Sequence, residues 1–260
     1  MKYTVLTLFP EIIDGYFAAS ITARAVQRGI IEYRAVQIRD YAADRHKTCD
    51  DAPYGGGPGM LMLPEPLALA LEAAGVRKKD GGGGERDGKR VIYLSPSGRP
   101  FDQAMAEEFA GERELVLLCG RYEGIDQRVI DLYIDDEVSV GDYVLSSGEV
   151  AALAIIDASC RLVEKVITAE SLDEESFSGG LLEYPQYTRP EIFDTIKVPD
   201  VLISGHHENI RRWRLEKRVE KTLRYRPDLI RRGRETGLFN REINSIIDRQ
   251  VQAEGDSENE

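Results

Sequence analysis

Leu115-Val116-Leu117-Leu118-Cys119 runs into Gly120-Arg121-Tyr122-Glu123-Gly124-Ile125-Asp126, and a second loop follows at Val140-Gly141-Asp142-Tyr143-Val144-Leu145-Ser146-Ser147-Gly148-Glu149. The apolar run is too short and too uniformly apolar for an amphipathic helix, which is the pattern of a strand buried on both faces of a parallel sheet. In open parallel sheets ligands bind beyond the C-terminal strand ends, so the Gly120–Asp126 loop is a candidate wall of a site. Glycine lets the backbone approach a ligand closely, so amide N–H and C=O groups do the reading there. Neither loop is a G-x-G-x-x-G or a G-x-x-x-x-G-K-[ST] phosphate loop. The expectation is a mostly backbone-lined pocket ringed by Glu123, Asp126, Asp142, Tyr143 and Glu149, which suits a cationic or hydroxyl-rich ligand. Any one of these glycines alone reads as an ordinary strand-to-helix turn. Two such loops after adjacent strands carry more.

Outward from this segment, strand and helix patterns alternate. Tyr3–Phe9, Ile30–Ile38, Arg90–Leu94 and Asp136–Val140 read as strands. Helices are expected after Pro10, from a Ser20 cap to Gly29, over Pro64–Ala74, from Asp102 to Gly111, over Gly124–Leu132 and over Glu149–Val163. That alternation is an α/β doubly wound sheet. Ser95-Pro96-Ser97-Gly98 is expected to be another turn after a strand and a third wall of the pocket. Pro53-Tyr54-Gly55-Gly56-Gly57-Pro58-Gly59 is too glycine-rich to be shaped by its own side chains, and Arg77–Gly88 reads as a mobile connector.

The second part of the chain changes character. Val166–Pro185 holds five acids and no base, and 166–180 has the acid, serine and glycine content of a linker. A basic helix is expected within Asp200–Arg224, with two more over Pro227–Arg234 and Asn240–Val251. The boundaries read from this pattern are an α/β domain at 1–165, a flexible acidic linker at 166–180, a small all-helical domain at 181–252 and a disordered acidic tail at 253–260. The long apolar helix Glu149–Val163 could be a dimer face or could be buried in its own core.

The chain of 260 residues is 42% hydrophobic, enough for a sizeable core. No apolar run reaches the length of a membrane span, and the N-terminus does not read as a signal peptide, so no membrane partner and a cytoplasmic location are expected. Three cysteines, Cys49, Cys119 and Cys160, are unclustered, which argues against a disulfide framework or a structural zinc site. A net charge of −12 excludes a generic polyanion binder. Yet Gly205–Gln250 holds thirteen Lys and Arg against seven Asp and Glu, so a local basic surface can still meet RNA. His206 and His207 are adjacent and do not share a helix face as metal ligands would, and no metal ligands are assigned.

The two glycine loops, together with Pro53–Met60, Tyr187-Thr188-Arg189-Pro190 and Ser204–Arg214, resemble the bacterial tRNA (guanine-N1)-methyltransferases in order and spacing, from the first strand to about Leu223. The resemblance implies a SPOUT-type knotted parallel-sheet domain with a small C-terminal helical domain. It implies transfer of methyl from S-adenosyl-L-methionine to N1 of the guanosine 3′ of the anticodon, position 37, in tRNA, by a homodimer. The cofactor would be held by Pro96, Gly120, Glu123, Gly124, Val140, Gly141, Asp142, Tyr143, Val144, Leu145, Ser147 and Gly148. tRNA would be met by Arg121, Tyr187, Arg189, His206, Arg211, Arg212 and Arg214, with Trp213 docked in the core of the small domain. Mg2+ is implied by the resemblance only, since no carboxylate cluster in the sequence marks its place.

Removing the guanine N1 proton asks for a base, and holding charge on the ring oxygen asks for a donor. The family places an aspartate immediately before the linker Ser-Phe; here Glu175 stands there, with Asp173 and Glu174 as competitors. Arg161 matches the family arginine near the end of the long helix, where a plain dipole-complementing charge is an equally common reading. Ser147 stands where the family more often has glycine, and Gly179 where it often has an acid. The rival readings are a non-catalytic RNA-binding module of the same fold and a knotted methyltransferase acting on another RNA position.

Overall fold

The structure, a computed structural model, describes residues 1–79, 88–168 and 174–257, the side chains from 254 onward excepted. The expected connector therefore lies largely outside the described residues, as does Asp173. The chain forms two compact units, Met1–Thr168 and Ala169–Glu260.

In the first unit the main strands are β1 (Lys2–Thr7), β2 (Glu32–Gln37), β5 (Lys89–Pro100), β6 (Glu114–Cys119) and β7 (Asp136–Ser139), with a two-residue hairpin of β3 (Asp50–Asp51) and β4 (Leu61–Met62). Between them run α1 (Pro10–Phe17), α2 (Ser20–Gln27), α3 (Pro64–Ala73), α4 (Gln103–Ala110), α5 (Gln127–Tyr133) and α6 (Gly148–Cys160). The main sheet is parallel throughout in the order β2-β1-β6-β5-β7, which puts the apolar run at its centre.

Alternate side chains of a strand go to opposite faces. Leu115, Leu117 and Cys119 therefore join Ile13, Phe17, Phe109, Ile155 and Ile156 in one core layer under α1, α2, α4 and α6. Val116 and Leu118 join Leu67, Leu71, Val129 and Tyr133 in the other, under α3 and α5. All six residues of β6 are buried, so its hydrophobic run has no solvent face to alternate toward. The helix from 148 is likewise committed to its own core through Ala152, Ile155, Ile156 and Cys160. The three cysteines are free and buried.

Several local expectations are corrected. Ser20 does not cap α2: Ala19 holds the cap position, no side chain bonds there, and Ser20 has φ +54°. Ser95–Gly98 is not a turn after a strand but an irregularity inside β5, where pairing with β7 shifts register between Leu94 and Arg99. Gly98 permits this, because a Cβ there would lie 2.4 Å from the β7 backbone at Glu137 and Val138. α5 begins at Gln127 rather than Gly124, because the Asp126 carboxylate accepts from the Arg128 amide and sets the first turn.

The second unit holds α7 (Asp200–Ile203), α8 (His207–Tyr225), α9 (Pro227–Glu235) and α10 (Arg241–Ser257), the last three packing around a core of Leu181, Val219, Ile230, Phe239, Ile246 and Ile247. The basic helix expected within 200–224 is α8, and the short α7 and a hairpin of β8 (Ile192–Phe193) and β9 (Ile196–Lys197) precede it. α10 continues to Ser257, through part of the tail expected to be disordered. Residues 174–180 form a hydrogen-bonded turn rather than free linker: Ser178 N–H donates to Glu175 O (3.1 Å), and Phe177 N–H to Leu181 O (2.8 Å).

Glu114 opens β6 with its carboxylate buried among Thr4 Oγ1 (2.7 Å), Lys2 Nζ (3.0 Å) and Lys89 Nζ (3.4 Å). Burial alone would raise its pKa, but the Thr4 hydroxyl and the two ammonium groups together hold it below the ordinary glutamate value. A depressed folded-state pKa contributes stability above the unfolded pKa and loses it as pH falls through the folded value. Glu114→Gln is therefore expected to lower unfolding free energy by about 1–2 kcal/mol at neutral pH. In urea titrations over pH the difference should close below the ordinary glutamate range.

Candidate active site at the C-terminal ends of the central strands

Three segments meet beyond the ends of β5, β6 and β7 and enclose a cavity of about 300 Å³. Leu94–Ser97 forms one wall, Gly120–Gly124 the second, and Val138–Gly141 with Tyr143–Gly148 the third; Tyr93 and Ala151 close the base. Of the residues expected to hold a cofactor, Pro96, Gly120, Glu123, Gly124, Val140, Gly141, Tyr143, Val144, Leu145, Ser147 and Gly148 all line this space. Asp142 does not.

The loops are shaped by close backbone approach. Gly148 N–H donates to Gly120 O (2.9 Å), and Ser147 bridges Arg121 in antiparallel fashion. A Cβ at Gly148 would lie 2.8 Å from Cys119 Cα and 2.9 Å from Gly120 N, so no other residue fits without moving backbone. At Gly141 the Tyr143 ring lies where a Cβ would stand, 2.4 Å away, while the Tyr143 hydroxyl donates to Val140 O (3.2 Å). Ser139 Oγ donates to Gly141 O (3.0 Å) and fixes the same turn. Backbone amides and carbonyls thus form much of the surface.

The expected acidic surround is corrected. Glu149 is 1% exposed and faces the core, where Thr7 Oγ1 donates to Glu149 Oε1 (2.5 Å). Asp126 caps α5 and is clasped by the Arg128 guanidinium, which holds its carboxyl below the usual range. Asp126 is drawn to donors of its own helix start, whereas Glu149 is turned to β1 and keeps its Oε2 buried without a hydrogen-bond partner. Glu123 remains as the carboxylate on the cavity wall, its side chain lying against Gly59 of the glycine-rich loop. That loop is tied to the site: Glu123 N–H donates to Met60 O (3.0 Å), and Met62 N–H to Gly124 O (3.0 Å).

Sequence reading missed Tyr93 on the cavity lining, while Ser95, Ser97, Tyr122 and Ser146 lie in the three segments expected to wall it, though none of the four was singled out. Tyr93 was hidden inside an apolar strand; its ring packs where a Gly120 Cβ would stand, 2.8 Å away, and burial, then Glu137, raises its pKa. Tyr122 could have been marked by its place between charged residues of a glycine loop, and its φ of +59° is uncommon for a side chain of that size. Arg121, expected to meet tRNA, lines the cavity with its guanidinium over the Phe9 ring (4.6 Å).

Arg161 of the first unit does not line this cavity. Arg161 holds the C-cap position of α6. In the second unit, Glu175 opens the turn at 175–180, and the neighbouring Glu174 carboxylate accepts from Tyr184 Oη (2.9 Å) and Arg214 (3.2 Å). Tyr187 and Arg189 line an open cleft with Val198, Leu202 and Ile203. Trp213 is not in the helical core but half-buried against the Tyr187 ring, centroids 6.2 Å apart. His206 holds the N-cap position of α8. Arg211 is forked between Glu208 (2.9 Å) and Glu242 (2.7 Å), Arg212 pairs with Glu216 (3.2 Å), and Arg214 lies over the Tyr184 ring (4.8 Å). Among the described residues no group of three or more His, Cys, Asp and Glu could hold a metal, and no helix is long and apolar enough to cross a membrane.

A parallel α/β sheet with a glycine-walled cavity past its central strands defines an α/β protein with a pocket of small-molecule size. Residues 1–232 match the profile of the tRNA (guanine-1)-methyltransferase TrmD family, and the chain belongs to that family. It is 59% identical over 247 residues to a tRNA (guanine-N(1)-)-methyltransferase of Treponema denticola, covering 95% of this chain and 98% of that protein. Proteins of the same name from Treponema pallidum (56% over 247 residues, 95% of each chain) and Borreliella burgdorferi (53% over 231 residues, 88% of this chain and 92% of that protein) are similar to it.

Gly148→Ala is expected to cost about 1–3 kcal/mol, as overpacking against fixed backbone does. Thermal unfolding would measure it. At Gly55 a Cβ would meet nothing within 4 Å, so Gly55→Ala is expected to cost only the strain of an L residue at φ +87°, about 1 kcal/mol, in the same measurement.

Proposed function

We propose that the chain transfers the methyl group of S-adenosyl-L-methionine to N1 of the guanosine at position 37, on the 3′ side of the tRNA anticodon. The observation that carries this reading is the convergence of Pro96, Gly120–Gly124 and Val140–Gly148 on one cavity of about 300 Å³. Its backbone polar groups and mixed apolar wall fit a ligand with both an adenosine and an amino-acid part, and Glu123 has the sign that suits a cationic group. Bound there, S-adenosyl-methionine supplies a sulfonium methyl. The residues that would hold it are those on the cavity wall, with Asp142 beside them.

Guanine N1 carries a proton that must leave as the new bond forms, and the Glu175 carboxylate takes it. Glutamate matches aspartate closely in basicity, so the role survives the substitution. Arg161 supplies a guanidinium to hold the charge that collects on the ring oxygen. Tyr187, Arg189, His206, Arg211, Arg212 and Arg214 of the second unit, with Arg121 of the first, meet the tRNA backbone and bases.

The same proposal takes 1–165 as a knotted methyltransferase domain, 166–180 as the linker, 181–252 as the tRNA-binding domain and 253–260 as a tail. The return of the chain from β7 to the end of β6, closed by the Gly148–Gly120 bond, supports the knot. A cytoplasmic homodimer belongs to it too: Tyr143, Val144 and Val150 are each more than half exposed, an apolar surface of the kind a second copy covers.

Labelled S-adenosyl-methionine with two unmodified tRNA transcripts, guanosine or adenosine at position 37, tests the reading. Label on the guanosine transcript alone is expected. Label on neither, with cofactor bound, would mean an RNA-binding module; label on both would move the methylated position elsewhere. Glu175→Gln is expected to slow transfer by about 10²-fold or more with cofactor affinity kept, and an unchanged rate would remove Glu175 as base.

A further inference from the structure

Residues four apart on a helix lie on one face, and α8 presents Arg218 and Thr222 in this way. Both reach the segment that follows Glu175. Arg218 Nη2 donates to Ser178 O (2.6 Å) and its Nε to Leu182 O (3.2 Å). Thr222 Oγ1 accepts from Leu182 N–H (2.9 Å) while donating back to Arg218 O (2.6 Å). The turn itself is left-handed at Phe177, Gly179 and Gly180, with φ of +76°, +62° and +76°. Such a backbone holds its shape only where its surroundings over-determine it. Burial lowers the Arg218 pKa from its ordinary value, with Glu174, Tyr184 and Glu183 acting in the opposite sense, so the guanidinium is partly stripped of water and relies on the two carbonyls.

We propose that Arg218 is a positioning residue for the methyl-transfer reaction: by bracketing Ser178 and Leu182 it fixes the turn at 175–182 and so the placement of the Glu175 carboxylate. The proposal rests on the reading of Glu175 as the base. Ser178 N–H donates to Glu175 O (3.1 Å), so the carbonyl that Arg218 grips belongs to the same residue whose amide holds Glu175. Releasing the fork lets Ser178 drift and takes Glu175 with it. Nothing in this arrangement requires Arg218 to touch either substrate.

The test compares native protein, Arg218→Gln, Arg218→Lys, Glu175→Gln and the Arg218→Gln/Glu175→Gln double variant. Single-turnover methyl transfer is measured at saturating transcript and cofactor, and hydrogen exchange over 175–182 by mass spectrometry. Arg218→Gln is expected to slow transfer about tenfold, a loss of the size that small misplacement of a reacting group brings, with both affinities within about twofold of native. Exchange over 175–182 should rise. In the Glu175→Gln background Arg218→Gln should cost nothing further, because the group it positions is gone. Arg218→Lys, with one ammonium in place of a fork, should fall between, and it carries the comparison if the glutamine variant does not fold. Equal slowing in both backgrounds, an unchanged rate, or unchanged exchange would overturn the proposal. An unchanged rate in Glu175→Gln alone would overturn the base assignment and this proposal with it. A slow Glu175→Gln beside a native-like Arg218→Gln would overturn this proposal only.

Discussion

The first unit depends on one contact between two stretches of backbone, Gly148 against Cys119 and Gly120. The Gly148 N–H bond to Gly120 O (2.9 Å) joins the end of the central strand to the start of α6, with room for no side chain between them. α6 cannot slide away, because Ala152, Ile155 and Ile156 are fully buried in the layer that also takes Leu115 and Leu117. The core therefore presses two loops together, and the cavity is the space they leave. A site built this way is formed before its ligand arrives, so little ordering entropy is lost on binding.

The acids and bases of the chain show a second constraint. Most carboxylates that the sequence places near the site are taken up locally: Asp126 by Arg128, Glu149 by Thr7, and Asp102 by the Met105 amide. In the second unit three of the arginines expected to meet RNA, Arg211, Arg212 and Arg214, are held by Glu208, Glu242, Glu216 and Glu174. These pairs are largely exposed and each is worth little on its own. A phosphate can thus replace a glutamate as partner of Arg211 or Arg212 at small cost, while in the free protein the same glutamates keep a −12 chain from showing a bare cationic face. RNA affinity built on such exchange is selective for a phosphate array that meets several arginines at once.

What could be read from the sequence follows from the range of the forces involved. The order of strands and helices, the central buried strand and the two glycine loops were legible because hydrophobic periodicity and glycine are local signals. Side-chain direction at the site was not. Glu149 and Asp126 sit one or two residues from cavity-lining glycines, yet Asp126 is turned to its own helix start and Glu149 into the core against Thr7. Tyr93 was invisible for the opposite reason, since an apolar strand pattern gives no sign that one of its residues reaches the cavity. The β5 irregularity at Ser95–Gly98 read as a turn because the partner that keeps it extended, β7, lies some forty residues further along the chain. Trp213 was assigned to the core because four consecutive helical residues cannot share a face, but the buried residues of α8 are Val219 and Thr222, and Trp213 lies against Tyr187.

The glutamate at position 175 and the arginine at 218 bear on one another through reach and entropy. A glutamate side chain has one more rotatable bond than an aspartate, so holding its carboxylate in one place costs more conformational freedom. A shorter base can tolerate a looser backbone because fewer torsions separate its oxygen from its Cα. A longer one gains accuracy only if the backbone beneath it is fixed, and here the turn that carries Glu175 is gripped on Ser178 and Leu182 from a single helix face. The left-handed Phe177 and the glycines at 179 and 180 give that turn its shape, and Gly180 leaves no room to change it, since a Cβ there would lie 2.6 Å from Leu238. If Glu175 is the base as proposed, rigidity of this main chain offsets freedom in its longer side chain.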